Sequence, residues 1–512
     1  MSFSLKIKRR LAPIAIAISF ALLISGCGSK VDIEKPLSDL ATYEGQILNW
    51  TTCYDEFDCA ELLVPIDYAD LTVGSFEIAL LRYKAQDQKN RIGSLVINPG
   101  GPGSSGVDYA YNAEYFFDPD VLDRYDIVGF DPRGVNRSAP IKCLNDEETD
   151  AAYAADAKLD NDAELTQAMA DAKDFIDKCQ SANEYLSHYS TAESARDMDI
   201  LRAALGDTKL NYLGKSYGTY LGTLYAQFFP NKVGRMVLDG AIDPNISILA
   251  QNISQAKGFD DALAAFITDC AKEDDCPLPK DKTEATAKIT SIFTASATNP
   301  FPRKFKVKVD NRDATEAMIV LGTLSALYDD VDGWPKLRTA ISEGLQGYGD
   351  SFLDLVDQYT DRSPDGTYAS NELDSGAIID CLDWPDTRTT EEIKADTKRF
   401  TEVAPVFGPY LAYSSAACKY LTPPTKDKLT RKTNKITSIK TVPIIVIGTT
   451  RDPATPYEWA VGLNKIFTSS KLITLDADGH TGQGRGSACV DDAVDAYLLE
   501  GKSPNDDINC RL

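Results

Sequence analysis

Gly214-Lys215-Ser216-Tyr217-Gly218 constrains this chain more than any other stretch, because its serine sits where a short apolar run gives way to helical spacing. Leu210-Asn211-Tyr212-Leu213 reads as a buried strand, and Tyr220, Leu221, Leu224, Tyr225 and Phe228 recur at the period of a helix. The serine therefore lies on the turn. So tight a strand-to-helix turn strains its central residue and brings neighbouring backbones close, which makes small residues two before and two after it a steric need. Gly214 and Gly218 meet that need, but in a chain with 33 glycines the pentapeptide is a weak signal until partners are found.

A serine hydroxyl becomes nucleophilic at neutral pH only beside a base, usually a histidine oriented by a carboxylate. The chain has two histidines. His480 lies in Asp478-Gly479-His480-Thr481-Gly482, just after the strand-like run Lys471-Leu472-Ile473-Thr474-Leu475, where a loop brings it to a sheet's carboxyl edge. His188 precedes the helix start Ser190-Thr191-Ala192-Glu193, a capping-box spacing, and reads as a surface loop histidine. For the acid, the strand Val442 to Gly448 leads into Thr450-Arg451-Asp452-Pro453, so Asp452 is preferred. Asp239 and Asp243, after Arg235-Met236-Val237-Leu238, are rivals that more simply cap a turn. The order Ser216, Asp452, His480 is that of α/β-hydrolases.

An oxyanion hole needs backbone N–H groups that a substrate carbonyl can approach. Asn98-Pro99-Gly100-Gly101-Pro102-Gly103 follows the strand Ser94 to Ile97 and offers Gly100 or Gly101, with Tyr217, the residue after the serine, as second donor. Two phosphate-loop readings overlap these motifs. Gly101-Pro102-Gly103-Ser104-Ser105-Gly106 matches a dinucleotide fingerprint with Asp131 as ribose acid, but Pro102 removes a donor from the supposed phosphate turn. Gly214-Lys215-Ser216 imitates the end of a Walker loop whose first glycine would fall at Lys209, so that reading fails.

Lys6, Lys8, Arg9 and Arg10 followed by the apolar run Leu11 to Ile24 read as a secretory signal, too short to span a membrane. Leu23-Ile24-Ser25-Gly26-Cys27 resembles a bacterial lipobox, so residues 1–26 are expected to be removed and Cys27 lipidated. The expected location is the cell surface, with membrane contact through that lipid and later shedding left open. Export also separates the chain from cytoplasmic nicotinamide cofactors. Of eleven cysteines, ten remain after Cys27, an even number suited to disulfides in an oxidising compartment. Close spacing suggests Cys53 with Cys59 and Cys270 with Cys276; Cys143 with Cys179, Cys381 with Cys418 and Cys489 with Cys510 follow by elimination. No C-x-x-C pair or histidine cluster suggests a metal, and no cofactor is expected. Losing a leader with four cations takes the formal charge from −24 to −28, which disfavours nucleic acid and anionic membrane surfaces as partners.

Residues 27–45 are expected as a tether, 46–244 as the first part of a mostly parallel α/β core, and 441–512 as its second part. Asp150 to Gln180 reads as a solvated helical excursion. Ser216 and Asp452 are 236 positions apart, far more than one strand, helix and strand need, so 245–440 is expected to be a helical cap over the catalytic edge.

Together, Asn98 to Gly103, Asp131-Pro132-Arg133-Gly134, Gly214 to Tyr220, Val237-Leu238-Asp239-Gly240 and Asp452 to Pro456 resemble the secreted tripeptidyl aminopeptidases of actinobacteria, relatives of proline iminopeptidase. The resemblance covers roughly residues 46–500. It implies an α/β-hydrolase fold, a helical cap and release of short peptides from free amino termini, with Ser216, Asp452 and His480 as nucleophile, acid and base. Lys215 departs from the glycine common before the nucleophile in proline iminopeptidases. The family also includes esterases, so a carboxylesterase acting on lipid or other esters is the alternative. Peptides are the expected partners and a monomer the expected state. An exopeptidase must also pair its substrate's ammonium group, and Asp380 and Asp383 in Ile379-Asp380-Cys381-Leu382-Asp383-Trp384-Pro385 are the candidates.

Overall fold

The computed structural model describes residue 37 and residues 39–305, 310–421 and 435–512; Cys27 and the expected leader lie outside the described residues. Ten strands form one sheet: β1 (Thr51–Cys53), β2 (Phe57–Pro65), β3 (Ser75–Tyr83), β4 (Gly93–Asn98), β5 (Tyr125–Phe130), β6 (Leu210–Lys215), β7 (Val233–Asp239), β8 (Ile445–Arg451), β9 (Lys471–Asp478) and β10 (Ile508–Arg511). Their spatial order is β1-β2-β3-β5-β4-β6-β7-β8-β9-β10. β1, β2, β3 and β5 pair antiparallel in succession, and every pair from β5 to β10 is parallel.

Parallel strands covered on both faces read as continuous apolar runs, and β4 and β5 are buried at every position. Alternate side chains still part company. Val96, Val128, Tyr212, Met236, Leu238 and Val446 enter the core shared with helices Thr191–Ala204, Tyr217–Phe228 and Tyr457–Ile466. Leu95, Ile97, Ile127, Leu213, Val237 and Ile445 enter the opposite one, against helices Gly106–Tyr111, Pro119–Arg124 and Ala488–Glu500.

Between β7 and β8, helices Ile248–Cys270, Lys282–Thr298, Glu316–Ala326, Gly333–Gly344 and Asp350–Thr360 bury a third cluster of their own, including Phe266, Phe293, Leu337 and Phe352. Helix Glu372–Asp383 behaves differently. Its Ile378, Ile379 and Leu382 pack into the sheet's own core. Asn371, just before it, donates through Nδ2 to the carbonyls of Gly134 and Ile141 (2.8 and 2.9 Å) and accepts from Asn136 N (2.9 Å).

Four strands differ from expectation. β1, β2 and β10 were not anticipated: Asp58 and Glu61 interrupt the apolar pattern of β2, and the edge strands β1 and β10 are three and four residues long. β8 starts at Ile445, three residues later than the apolar run. The expected excursion is two helices, Asp146–Ala154 and Asp162–Ala182, split by the polar stretch between them. The expected tether ends early: Leu40–Glu44 is a capped helix whose Tyr43 is buried and bonded to Ser75 Oγ (2.6 Å). Ile379 to Asp383 is the end of a helix and not a loop.

Five disulfides pair Cys53–Cys59, Cys143–Cys179, Cys270–Cys276, Cys381–Cys418 and Cys489–Cys510. The loop closed by Cys381–Cys418 spans 37 residues, for which chain entropy gives about 4 kcal/mol. Replacing both cysteines by serine is therefore expected to lower unfolding free energy by about 2–4 kcal/mol in denaturant titrations, and an unchanged midpoint would refute that contribution.

Candidate active site

Ser216 stands between the last residue of β6 and the first of helix Tyr217–Phe228, at φ 53° and ψ −124°. Positive φ is costly for a residue with a Cβ, and the surroundings hold it there. The Ser216 N–H donates to the Asp239 carbonyl at the end of β7 (2.8 Å). A Cβ on Gly214 would stand 2.4 Å from the Gly218 carbonyl oxygen, and one on Gly218 2.7 Å from Asn98 Oδ1. Both flanks are closed to any side chain.

His480 follows β9 by two residues, and its Nδ1 lies 2.8 and 2.9 Å from the two carboxylate oxygens of Asp452, just beyond β8. The Asp452 side chain is fully enclosed. It also accepts from the N–H groups of Ala454, Thr455 and Thr481 (2.9, 2.8 and 3.0 Å) and from Thr455 Oγ1 (3.0 Å), so its orientation is fixed. A proton on Nδ1 facing this carboxylate leaves Nε2 as an acceptor. The ring stands edge-on to Tyr328, centroids 5.3 Å apart, and the His480 N–H donates to the Tyr328 carbonyl (2.8 Å). Ser216 and His480 converge on the end of β7: Asp239 holds the serine backbone, and a Cβ on Gly240 would come 3.3 Å from His480 Cε1.

The loop after β4 backs onto Ser216. A Cβ on Gly100, at φ 116°, would stand 2.9 Å from Ser216 Cβ and 3.4 Å from Tyr217 N. Gly100 N–H donates to Asn98 Oδ1 (3.1 Å), whereas the amides of Gly101 and Tyr217 find no acceptor among the described residues.

Other sequence candidates lie elsewhere or are otherwise engaged. The His188 carbonyl accepts from Arg133 Nη1 (2.8 Å), a buried guanidinium that also grips Asp197. Asp131 accepts from Val107 N and Arg137 N (both 3.2 Å), serving the helix start instead of a ribose. Asp243 accepts from Asn245 N (2.8 Å), a turn cap. Asp383, 6% exposed, receives the Thr191 N–H (3.1 Å) and the Thr191 hydroxyl, which also meets Tyr217 Oη. Asp380 is half-buried on the same helix, its carbonyl accepting from Trp384 N (2.7 Å).

One acid not anticipated stands beside the loop after β4, which carries Gly100 and Gly101. Glu372 accepts from Ser104 Oγ (2.8 Å), and a Cβ on Gly103 would come 3.1 Å from its Cα. Burial pushes its carboxyl up to about 7; the Ser104 bond opposes this and Asp361 adds to it. Among the described residues no cation pairs with it. Burial raises the Tyr328 phenol well above its ordinary value, and the charges of Asp452 and Glu372 add to the rise. On its other side Glu372 lines a cavity of about 560 Å³ with Asn136, Tyr153, Tyr368 and Asp374. Ser216 and His480 do not line that cavity. Its sequence context gave no warning, because an acid in a helix's first turn is ordinarily a dipole partner.

A sheet presenting a strained serine between strand and helix, with an aspartate and a histidine on the loops after β8 and β9, defines the α/β-hydrolase class. Residues 93–486 match the family described as alpha/beta hydrolase fold, and the chain belongs to it. It is 35% identical over 530 residues to serine protease Hip1 of Mycobacterium tuberculosis, covering 99% of this chain and 98% of that protein. Tripeptidyl aminopeptidase of Streptomyces lividans is 30% identical over 480 residues, 90% of this chain and 86% of that one. Carboxylesterase B of Mycobacterium tuberculosis is 36% identical over 459 residues, 88% and 86% of the two chains.

Proposed function

We propose that this protein is an exported serine aminopeptidase that releases short peptides from free amino termini through an acyl-enzyme. Ser216 Oγ attacks the scissile carbonyl while His480 Nε2 takes its proton. Asp452 holds Nδ1–H and stabilises the imidazolium, and His480 then protonates the leaving amine. The tetrahedral oxyanion is received by the N–H groups of Tyr217 and Gly101. Water repeats the sequence on the ester and frees the acyl peptide. The helices between β7 and β8 act as the cap, and Cys27 carries the anchoring lipid. Similarity to a serine protease and a tripeptidyl aminopeptidase supports the peptidase reading.

Glu372 carries the choice of aminopeptidase over carboxylesterase. A carboxylate bonded to the loop that supplies the oxyanion donor Gly101, and without a cation of its own, suits a substrate that brings one. The substrate ammonium is therefore assigned to Glu372 and not to Asp380 or Asp383. An amino-terminal peptide amide should be cleaved at least about tenfold faster than its N-acetylated counterpart. Equal rates, or preference for a simple acyl ester, would favour the carboxylesterase. pH separates the two further. Below about pH 7 the Glu372 carboxyl takes up a proton and loses its attraction for ammonium. KM for the free-amine peptide should then rise on acidification while KM for a neutral ester stays level; parallel profiles would count against the assignment.

A further inference from the structure

The loop that carries His480 is held from outside at four consecutive amides. His480 N–H goes to the Tyr328 carbonyl and Thr481 N–H to Asp452 Oδ2. Gly482 N–H goes to Asp239 Oδ1 (2.8 Å) and Gln483 N–H to Asp239 Oδ2 (2.9 Å). The carbonyl side is held as well: Thr449 Oγ1 donates to Thr481 O (2.6 Å) and Lys215 Nζ to Gln483 O (2.7 Å). Within the loop Thr481, a β-branched residue, sits at φ 67°, a conformation that persists only where neighbours impose it.

Asp239 and Lys215 are the two charged members of this frame that nothing in the proposed chemistry uses. Asp239 is fully buried, and its backbone carbonyl is the acceptor for Ser216 N–H. One residue thus grips the serine turn with its main chain and the histidine loop with its carboxylate. Lys215, immediately before Ser216, is 4.0 Å from Asp239 Oδ2 and lies over the Phe116 ring. Burial raises the Asp239 carboxyl and lowers the Lys215 ammonium, and each opposes the other's shift. A buried pair adds little net stability over apolar residues, and its best-attested use is to fix a register.

We infer that Asp239, braced by Lys215, is a positioning residue that sets His480 against Ser216, a role distinct from that of the acid Asp452. The inference rests on the serine-hydrolase reading of the site. It also accounts for the lysine that replaces the usual glycine before the nucleophile, since Lys215 neutralises Asp239 and pins the Gln483 carbonyl.

The test is steady-state kinetics of the full exported chain on one free-amine peptide amide, with folding followed by circular dichroism. In Asp239→Asn the amide nitrogen faces an N–H group, and the loop loses one of two bonds. kcat is expected to fall about 100-fold with KM within about threefold. Lys215→Met keeps both bonds and removes the brace, so kcat should fall about tenfold, again without a change in KM. The charges around the His480 loop are Asp452, Asp239, Lys215 and Arg485, with the Tyr328 ring beside the imidazole. Losing the Asp239 charge disfavours the imidazolium and should move the acid limb of kcat/KM to lower pH. Losing the Lys215 charge should move it to higher pH. A merely structural residue would move neither in this opposed way. Wild-type kcat in folded Asp239→Asn, losses confined to KM, or limbs that move together would overturn the inference. If Asp239→Asn fails to fold, Lys215→Met decides by the same criteria. Failure of the underlying reading is distinguishable, because the wild-type chain itself would then turn over neither peptide nor ester.

Discussion

Ser216→Ala is expected to lower kcat about a million-fold, leaving only what binding and the oxyanion donors supply. Labelling by a fluorophosphonate should vanish with it. Stability should stay within about 1 kcal/mol, because the side chain sits at a turn and alanine inherits the same φ of 53°. Ser216→Gly supplies the informative contrast. Glycine adopts that backbone without a Cβ clash, so this variant should be equally inactive yet more stable than the alanine variant by up to about 1 kcal/mol. Retention of more than about a thousandth of wild-type turnover in both would remove Ser216 as the nucleophile.

Glu372→Gln is expected to lower kcat/KM for free-amine peptides about 10- to 100-fold and to leave N-acetylated substrates and esters almost unchanged. It should also stabilise the protein at alkaline pH. With its folded carboxyl pushed up to about 7, Glu372 binds a proton in the native state that the unfolded chain has already released. Stability therefore falls as pH rises from the ordinary glutamate range through about 7, and the ionised form costs about 3–4 kcal/mol above it. Glutamine escapes that cost, so the gain in unfolding free energy should be present at pH 8 and absent at pH 4. Unchanged substrate preference together with unchanged stability at pH 8 would show that Glu372 is an ordinary solvated acid.

What could be read in the sequence follows from where the information resides. Residues 94–97, 125–130 and 471–475 announce strands because both sheet faces are covered, so apolar residues dominate each run. β2 does not, since Asp58 pairs with Arg82 and Lys84, and the pairing is invisible along the chain. At the site, Ser216, Asp452 and His480 each follow an apolar strand within a Gly- or Pro-marked turn, a local pattern. Glu372 and Asp239 have no such pattern. Glu372 depends on a serine 268 positions away, and Asp239 on the amides of residues more than 240 positions away, which carry no side-chain signal at all.

Helix Glu372–Asp383 shares the sheet's core and not that of the helical cluster before it, and it is fastened at both ends, by Asn371 to the 134–141 loop and by Cys381 to Cys418. On the proposed reading, the group that receives the substrate amine therefore keeps one separation from Ser216. The enzyme then works as a ruler. It measures from the end of the peptide, and the length of the fragment released is set by rigid geometry and not by the side chains read on the way.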